Sequence, residues 1–235
     1  MSTHCPLLED LIIPIPRSRG HTTEVMLYRA LGSISGLQRL KLYLDASDVT
    51  AGAEDEDESD SDENADYPLS ANNPSWSEFD QQITEFQLGT YKYLRNGHIR
   101  DALINSALDE NLARAIFQAI SIGKSAGSLA LEELSLEVTG AGALGRCVWA
   151  STWNGVLQCL ARKWVLRRNI RDNCRNELIV KEVKGNGNYH NDPEEFAHQQ
   201  LRPYLKPLFR SIWPEKYDGS PWSRDWYSLP LAHVD

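Results

Sequence analysis

A short aliphatic pattern, L-x-x-L-x-[LI], occurs three times in this chain and restricts the folds that it can adopt. The copies begin at Leu8, Leu37 and Leu131. In the second copy, residues 37–44 (LQRLKLYL), leucines alternate with polar or aromatic side chains from Leu40 onward. Such alternation places the leucines on one face of a strand and the intervening residues on the other. The pattern therefore predicts three equivalent β-strands, each with one buried face.

A segment with helical periodicity separates the first two copies. Thr22 or Thr23 is the expected N-cap of this helix, and Gly36 is its expected end. The first strand is expected to stop at Pro14 and Pro16, because proline has no N–H to donate to a strand ladder. The first two copies start 29 residues apart, a spacing typical of leucine-rich repeats, whose units have about 20 to 29 residues.

The same order of elements returns after an insertion. Ser106 and Asp109 have the spacing of a capping box, which predicts that a helix begins there, and the third strand is expected at 129–138. Later segments match the repeat more loosely and predict two helices and two strands, at 153–160, near 193–212, at 164–166 and at 178–183. A β-α unit of this size cannot bury both elements alone, so units must stack. We therefore predict an α/β fold: a leucine-rich-repeat-like solenoid of alternating helices and parallel strands, with an irregular C-terminal cap.

Composition divides the chain into four parts. Residues 1–50 hold repeat units one and two, and residues 51–75 form an acidic insertion that is expected to be disordered. Residues 76–185 hold further helix-strand units. Residues 186–235 are rich in proline and tryptophan and are expected to cap the end of the solenoid.

The formal net charge of −9 arises in the insertion. Nine acids and no basic residue lie there: Glu54, Asp55, Glu56, Asp57, Glu58, Asp60, Asp62, Glu63 and Asp66. The rest of the chain is therefore formally neutral, so the acidic balance indicates little about what the folded surface binds. Ser59, followed by Asp60 and Asp62, is a candidate phosphorylation site, at which phosphate would add about −1.5 to −2 charge.

Apolar runs and cysteines point to an intracellular protein. No run of about 18 apolar residues is present, and the N-terminus lacks the pattern of a signal peptide, so no membrane association is expected. The four cysteines form no C-x-x-C pair, which argues against disulfides and structural zinc. We expect a cytoplasmic or nuclear location, with no metal and no cofactor.

A glycine motif provides an alternative function. Gly140, Gly142 and Gly145 form G-x-G-x-x-G directly after the third predicted strand, as in dinucleotide-binding folds. Such folds place an acid about 20 residues further on, but no Asp or Glu lies between Glu137 and Asp172. A glycine-rich turn within a repeat is the favoured interpretation, and a nucleotide-binding enzyme is the alternative.

A basic cluster provides a second alternative. It consists of Arg162, Lys163, Arg167, Arg168, Arg171 and Arg175, interleaved with Trp164. Such a cluster can bind nucleic acid or an acidic partner, including the chain's own acidic tract. Neutralisation by nearby acids is the more ordinary interpretation, and nucleic-acid binding is disfavoured because the rest of the folded body is neutral.

No set of residues has the arrangement of a catalytic site. The six histidines are scattered, and no G-x-S-x-G or phosphate-binding loop occurs. Outward positions of the predicted strands are the candidates for binding a protein partner. They are Gln38, Arg39, Lys41 and Tyr43 in the second strand and Glu132, Glu133, Ser135 and Glu137 in the third, with Arg167, Arg168 and Arg171 from the basic cluster.

Three segments resemble the carboxy-terminal leucine-rich region of fungal F-box-type proteins. They are residues 5–13 (CPLLEDLII), the two later L-x-x-L-x-L strands, and residues 164–172 (WVLRRNIRD). The resemblance implies the substrate-recognition part of a ubiquitin ligase receptor. It also implies a cullin adaptor as a partner, but only if the F-box that precedes this region in such proteins is restored, because here the first strand starts near Leu8.

Overall fold

The computed structural model describes residues 7–47, 76–82, 95–140, 150–169, 177–183 and 201–234. Its strands are β1 (Asp10–Pro16), β2 (Arg39–Asp45), β3 (Glu133–Thr139), β4 (Trp164–Arg168) and β5 (Leu178–Glu182). Its helices are α1 (Thr22–Gly32), α2 (Glu78–Gln81), α3 (Asn96–Ser106), α4 (Glu110–Ile122), α5 (Ala150–Leu160) and α6 (Leu205–Ile212), followed by a 3-10 turn (Trp222–Arg224). The predicted insertion at 51–75 lies outside the described residues.

The five strands form one open mixed sheet in the order β1-β2-β3-β4-β5. β1, β2 and β3 are parallel, so that Leu11, Leu40 and Leu134 lie side by side. This confirms a mixed α/β architecture and the equivalence of the three predicted strands.

The expectation of parallel strands throughout is wrong, because β4 and β5 run antiparallel to their neighbours. The reason is the path of the chain between strands. α5 packs with α3 and α6 in a separate apolar cluster instead of crossing over the sheet beside α1 and α4, so β4 returns in the opposite direction. Only residues 169–177 connect β4 to β5, fewer than the dozen or more that a parallel crossover needs.

β1 continues past Pro14 and ends at Pro16, because its prolines lie where they cost no ladder hydrogen bond. The backbone N–H of Arg39 donates to Glu9 O (2.9 Å), and that of Arg17 donates to Asp45 O (2.7 Å). In a parallel pair, residues whose backbone groups face the neighbour alternate. Glu9 and Arg17 face β2, so the even-numbered Pro14 and Pro16 face away from it, and β1 can include both prolines.

α1 and α4 cover one face of the sheet and form its core with the strand leucines. Leu40, Leu42 and Leu44 are almost completely buried in this cluster. The N-cap of α1 is His21, whose ring accepts from Thr23 N, in place of the predicted threonines, and the helix ends at Gly32 instead of Gly36.

A second apolar cluster contains most of the described tryptophans. It joins α3, α5 and α6 through Trp153, Phe209, Trp213, Trp222 and Trp226. The segment rich in Trp and Pro is therefore a packed region. α6 lies within the helix predicted near 193–212, and the first eight residues of that prediction are outside the described ranges.

α3 was not predicted, and its presence changes the interpretation of the capping box. Ser106 is the last residue of α3, where its Oγ donates to Ala102 O (2.6 Å). Asp109 alone caps α4, accepting from Leu112 N at 2.9 Å. The predicted pair thus spans the junction between two helices.

Candidate interaction surface on the open sheet face

The face of the sheet opposite α1 and α4 is not covered by any described helix, and we call it the open face. It is defined by Arg39, Lys41 and Tyr43 of β2, which alternate with the buried leucines, and by the residues beside them in the neighbouring strands. Arg39 is exposed, whereas Lys41 and Tyr43 are half-buried by their neighbours. Alternation in the sequence predicted this separation of the two faces correctly.

The first row of side chains across the open face alternates in charge. Strand register aligns Asp10, Arg39, Glu133 and Arg167. Arg39 binds the Asp10 carboxylate in a bidentate manner, with Nη2 2.6 Å from Oδ2, and Arg167 Nε lies 2.8 Å from Glu133 Oε2. The hydrogen bond from Arg39 lowers the pKa of Asp10, and the same bond raises the pKa of Arg39. Both shifts favour the charged forms of Asp10 and Arg39.

A second group surrounds Glu137 on β3. Its carboxylate lies 3.0 Å from Lys163 Nζ and 3.5 Å from Lys41 Nζ, and Lys41 Nζ lies 4.4 Å from the centre of the Tyr43 ring. Partial burial would raise the pKa of Glu137, but the hydrogen bonds and charges of the two lysines outweigh it and lower the pKa. The hydrogen bond to Tyr43 raises the pKa of Lys41. Two cations thus share one carboxylate beside an aromatic ring.

Of the remaining strand candidates, only Ser135 lies on the open face; Gln38 and Glu132 have the alternation of the buried Leu40 and Leu134, so their assignment as outward positions is wrong. Ser135 is half-buried between Lys41 and Val165 in the register. Gln38 and Glu132 precede their strands, and Gln38 O accepts from Glu132 N at 2.8 Å. Their backbone groups hold the start of β2 against the start of β3.

The basic cluster is divided between the two faces of the sheet. Arg167 lies on the open face, whereas Arg168 lies on the opposite face, with its guanidinium 5.6 Å from the centre of the Phe117 ring and Nε donating to Leu131 O. Arg162 and Lys163 pair with Glu182 (3.4 Å) and with Glu137. Neighbouring acids therefore compensate Arg162, Lys163 and Arg167, in agreement with the more ordinary interpretation. Arg171 and Arg175 lie outside the described residues.

Several open-face residues were not predicted. Asp10 and Ile12 precede the prolines at which β1 was expected to stop, and the alternation in residues 8–13 was the signal that could have found them. Val165, Ile179 and Lys181 join the face through antiparallel pairing, for which the sequence holds no local signal.

The first glycine of the glycine motif has a packing role. Gly140 has φ +87°, and a Cβ there would lie 2.1 Å from Asp45 Oδ1. Only glycine permits both this φ and this approach to the end of β2. Gly142 and Gly145 lie outside the described residues, as does Ser59, so the nucleotide-binding and phosphorylation sites stay predictions.

Two further features are absent from the described residues, a membrane-spanning helix and a cluster of metal-binding side chains. No helix in the described ranges is long and apolar enough to cross a membrane. Within the same ranges, no group of three or more His, Cys, Asp or Glu side chains is arranged to hold a metal ion. Comparison of the chain with protein-family models, with curated proteins and with solved structures yields no match.

Proposed function

We propose that this chain is a non-enzymatic protein-protein interaction module that binds its partner through the open face. One observation carries the proposal: six side chains predicted from strand alternation, and one from the basic cluster, lie next to one another on a face that no described helix covers. They are Arg39, Lys41, Tyr43, Glu133, Ser135, Glu137 and Arg167. A rigid sheet holds them at fixed spacing, which lowers the entropic cost of binding.

The chemistry of the face suits recognition of a polar protein surface. Its ion pairs hold long side chains in place before a partner arrives, and such charges contribute to specificity and association rate more than to affinity. Tyr43, with Lys41 over its ring, is the side chain best suited to be an energetic centre, because aromatic residues dominate such contacts.

A more specific proposal follows from the resemblance to F-box-type proteins. β1-α1-β2 and α4-β3 have the order and direction of leucine-rich-repeat units, which supports a repeat-like origin for the parallel half of the sheet. On this proposal the open face selects the substrate of a ubiquitin ligase receptor, and a separate F-box would contact the cullin adaptor.

Affinity purification from the native cell tests both levels of the proposal. We expect Tyr43→Ala combined with Arg167→Glu to reduce recovery of the specific partner by about tenfold or more. The matched control is Met26→Ala, an exposed apolar residue of α1 on the covered side of the sheet. Equal recovery of the partner with the wild type, the double variant and the control would contradict the open-face proposal. Absence of a cullin adaptor from material purified with an F-box restored to the chain would contradict only the ligase proposal.

A further inference from the structure

The two edges of the sheet differ in their capacity to pair with another strand. At the β1 edge, the outward residues are Asp10, Ile12, Pro14 and Pro16, and the two prolines offer no N–H. Prolines at an edge protect it from pairing. At the β5 edge, Glu177 O accepts from Asn169 N (3.0 Å) and Val183 N donates to Lys163 O (2.8 Å). The odd-numbered residues of β5 therefore face β4, and the even-numbered residues face outward.

The outward residues of β5 carry no proline. Leu178, Val180 and Glu182 each offer a backbone N–H and C=O at the edge of the sheet. Their side chains lie on the core side, where Leu178 and Val180 are half-buried against the main apolar cluster. β5 is thus an edge strand with hydrogen-bonding capacity and an apolar border.

The other side of β5 exposes an apolar residue between two opposite charges. The side chain of Ile179 is on the open face, and the residue is 53% exposed. Glu177 and Lys181, two residues before and after it, are also exposed, and neither forms an ion pair with another described residue. Because the order is acid, aliphatic, base, an antiparallel copy of the same segment would place its base opposite this acid and its acid opposite this base.

We propose that β5 pairs antiparallel with β5 of a second copy of this chain, about a two-fold axis at Ile179. In this register Glu177 lies opposite Lys181 of the other copy, and Lys181 lies opposite Glu177. Leu178 lies opposite Val180 on the core side, and the two Ile179 side chains meet at the axis. Directly opposed side chains are about 4.5 to 5.5 Å apart in such a pair, so both charge pairs and all three apolar contacts form.

The backbone fits the same register. Leu178 and Val180 both face outward, so each opposed Leu178-Val180 pair exchanges two hydrogen bonds, and symmetry makes four in all. The two sheets then form one ten-stranded sheet, and their open faces become continuous. The dimer does not depend on the proposed function of the open face. If both proposals hold, each partner molecule meets two equivalent surfaces.

Solution mass measurements on the full chain test the dimer. Sedimentation between about 1 μM and about 1 mM, where small interfaces dissociate, should show the mass rise toward twice the 26.6 kDa of one chain. Val180→Pro removes an outward N–H without breaking the pairing with β4, so we expect it to stay folded and monomeric. Ile12→Pro is the matched control, because Ile12 faces outward at the other edge, and it should dimerise like the wild type. A wild-type monomer throughout, or a Val180→Pro dimer, would overturn the proposal.

Charge exchange tests the register itself. Glu177→Lys and Lys181→Glu each replace two attractive pairs with two repulsive ones, so each variant alone should dimerise about tenfold or more weakly. A mixture of the two variants restores both attractive pairs and should form a heterodimer. A purely structural effect of either substitution would not be rescued by mixing. No heterodimer in the mixture would exclude this register.

Hydrogen exchange at the Val180 amide distinguishes a second copy from other occupants of the edge. Protection that increases with protein concentration supports the dimer. Protection that is independent of concentration means that the chain covers its own edge, and an unprotected amide at high concentration means that the edge stays open. Either of the last two results would overturn the proposal.

Discussion

One carboxylate, Glu24, holds together the loop that joins β1 to α1. Its two oxygens accept from Arg17 Nη1 (2.5 Å), Tyr28 Oη (2.7 Å), Ser18 N (2.8 Å) and Gly20 N (3.0 Å). The side chains of Glu24 and Arg17 are essentially inaccessible to water. A buried charge is tolerated only when it is paired and its hydrogen-bonding positions are filled, and this carboxylate meets both conditions.

Removal of that charge should be strongly destabilising. We expect Glu24→Gln to lower the free energy of unfolding by about 3 to 5 kcal/mol, because Arg17 is then buried without a counter-charge. Urea denaturation measures the loss. The control is Glu110→Gln, which breaks an exposed pair with Arg114 and should cost less than about 0.5 kcal/mol. Similar losses in the two variants would contradict the role assigned to burial.

Tyr28 makes the same network sensitive to alkaline pH. Burial raises the pKa of Tyr28 above its ordinary value of 10.0, against the lowering effect of the Arg17 charge. A group whose pKa is higher in the folded state than in the unfolded state contributes its full stabilisation of the fold at pH values below the unfolded pKa. For Tyr28 this stabilisation is lost as the pH rises above about 10. We therefore expect the free energy of unfolding to fall between about pH 9 and about pH 11. The fall should be smaller in Tyr28→Phe, and identical slopes in the two proteins would contradict this assignment.

At the scale of elements, the contact between α1 and α4 depends on two glycines. A Cβ at Gly32 would lie 2.0 Å from Ile120 O, and a Cβ at Gly123 would lie 2.1 Å from Arg29 O. Gly123 has an ordinary helical φ of −68°, so its role is close approach rather than an unusual backbone conformation. The end of each helix thus packs directly on the backbone of the other.

An added methyl group should therefore force these helices apart. We expect Gly123→Ala to lower the free energy of unfolding by about 1 to 3 kcal/mol through overpacking, although alanine is the better helix former. Gln118→Ala, on the exposed side of α4, is the control and should be neutral or slightly stabilising. Thermal and urea denaturation measure both variants. A stabilised Gly123→Ala protein would show that the helices have room to adjust.

At the scale of the whole molecule, charge is concentrated in the acidic tract and compensated elsewhere. Deleting residues 51–66 removes all nine acids of the tract and changes the formal net charge from −9 to zero. Three described members of the basic cluster, Arg162, Lys163 and Arg167, already pair with Glu182, Glu137 and Glu133.

The deletion should therefore leave the folded body and its binding unchanged. We expect the free energy of unfolding to stay within about 0.5 kcal/mol, and partner affinity and its salt dependence to match those of the full chain. Denaturation and binding at low and high salt provide the measurements. A deletion that strengthens binding at low salt would instead support masking of the basic cluster by the tract.

Sequence periodicity correctly predicted the strands in which leucines alternate with other residues. In β2 and β3 the leucines alternate strictly, and alternation is a local property of an extended chain. The same signal was misread at Pro14, because whether a proline is tolerated depends on which edge of the strand is free. α3 was missed for a related reason: it carries Asn96, Gly97 and His98 in its first turn, residues that are poor helix formers without tertiary contacts.

The sequence by itself determined which residues of β2 and β3 face the core, and hence that Arg39, Lys41, Tyr43, Glu133, Ser135 and Glu137 lie together on the other face. Tertiary structure alone decided that β4 and β5 run antiparallel, that Arg167 and Arg168 lie on opposite faces, and that β5 forms an edge. Side-chain alternation is set within a strand by the backbone, whereas strand direction and edge position depend on where distant helices pack. Here α5 packs with α3 and α6 and not over the sheet, and that contact between distant segments determines the second half of the candidate surface.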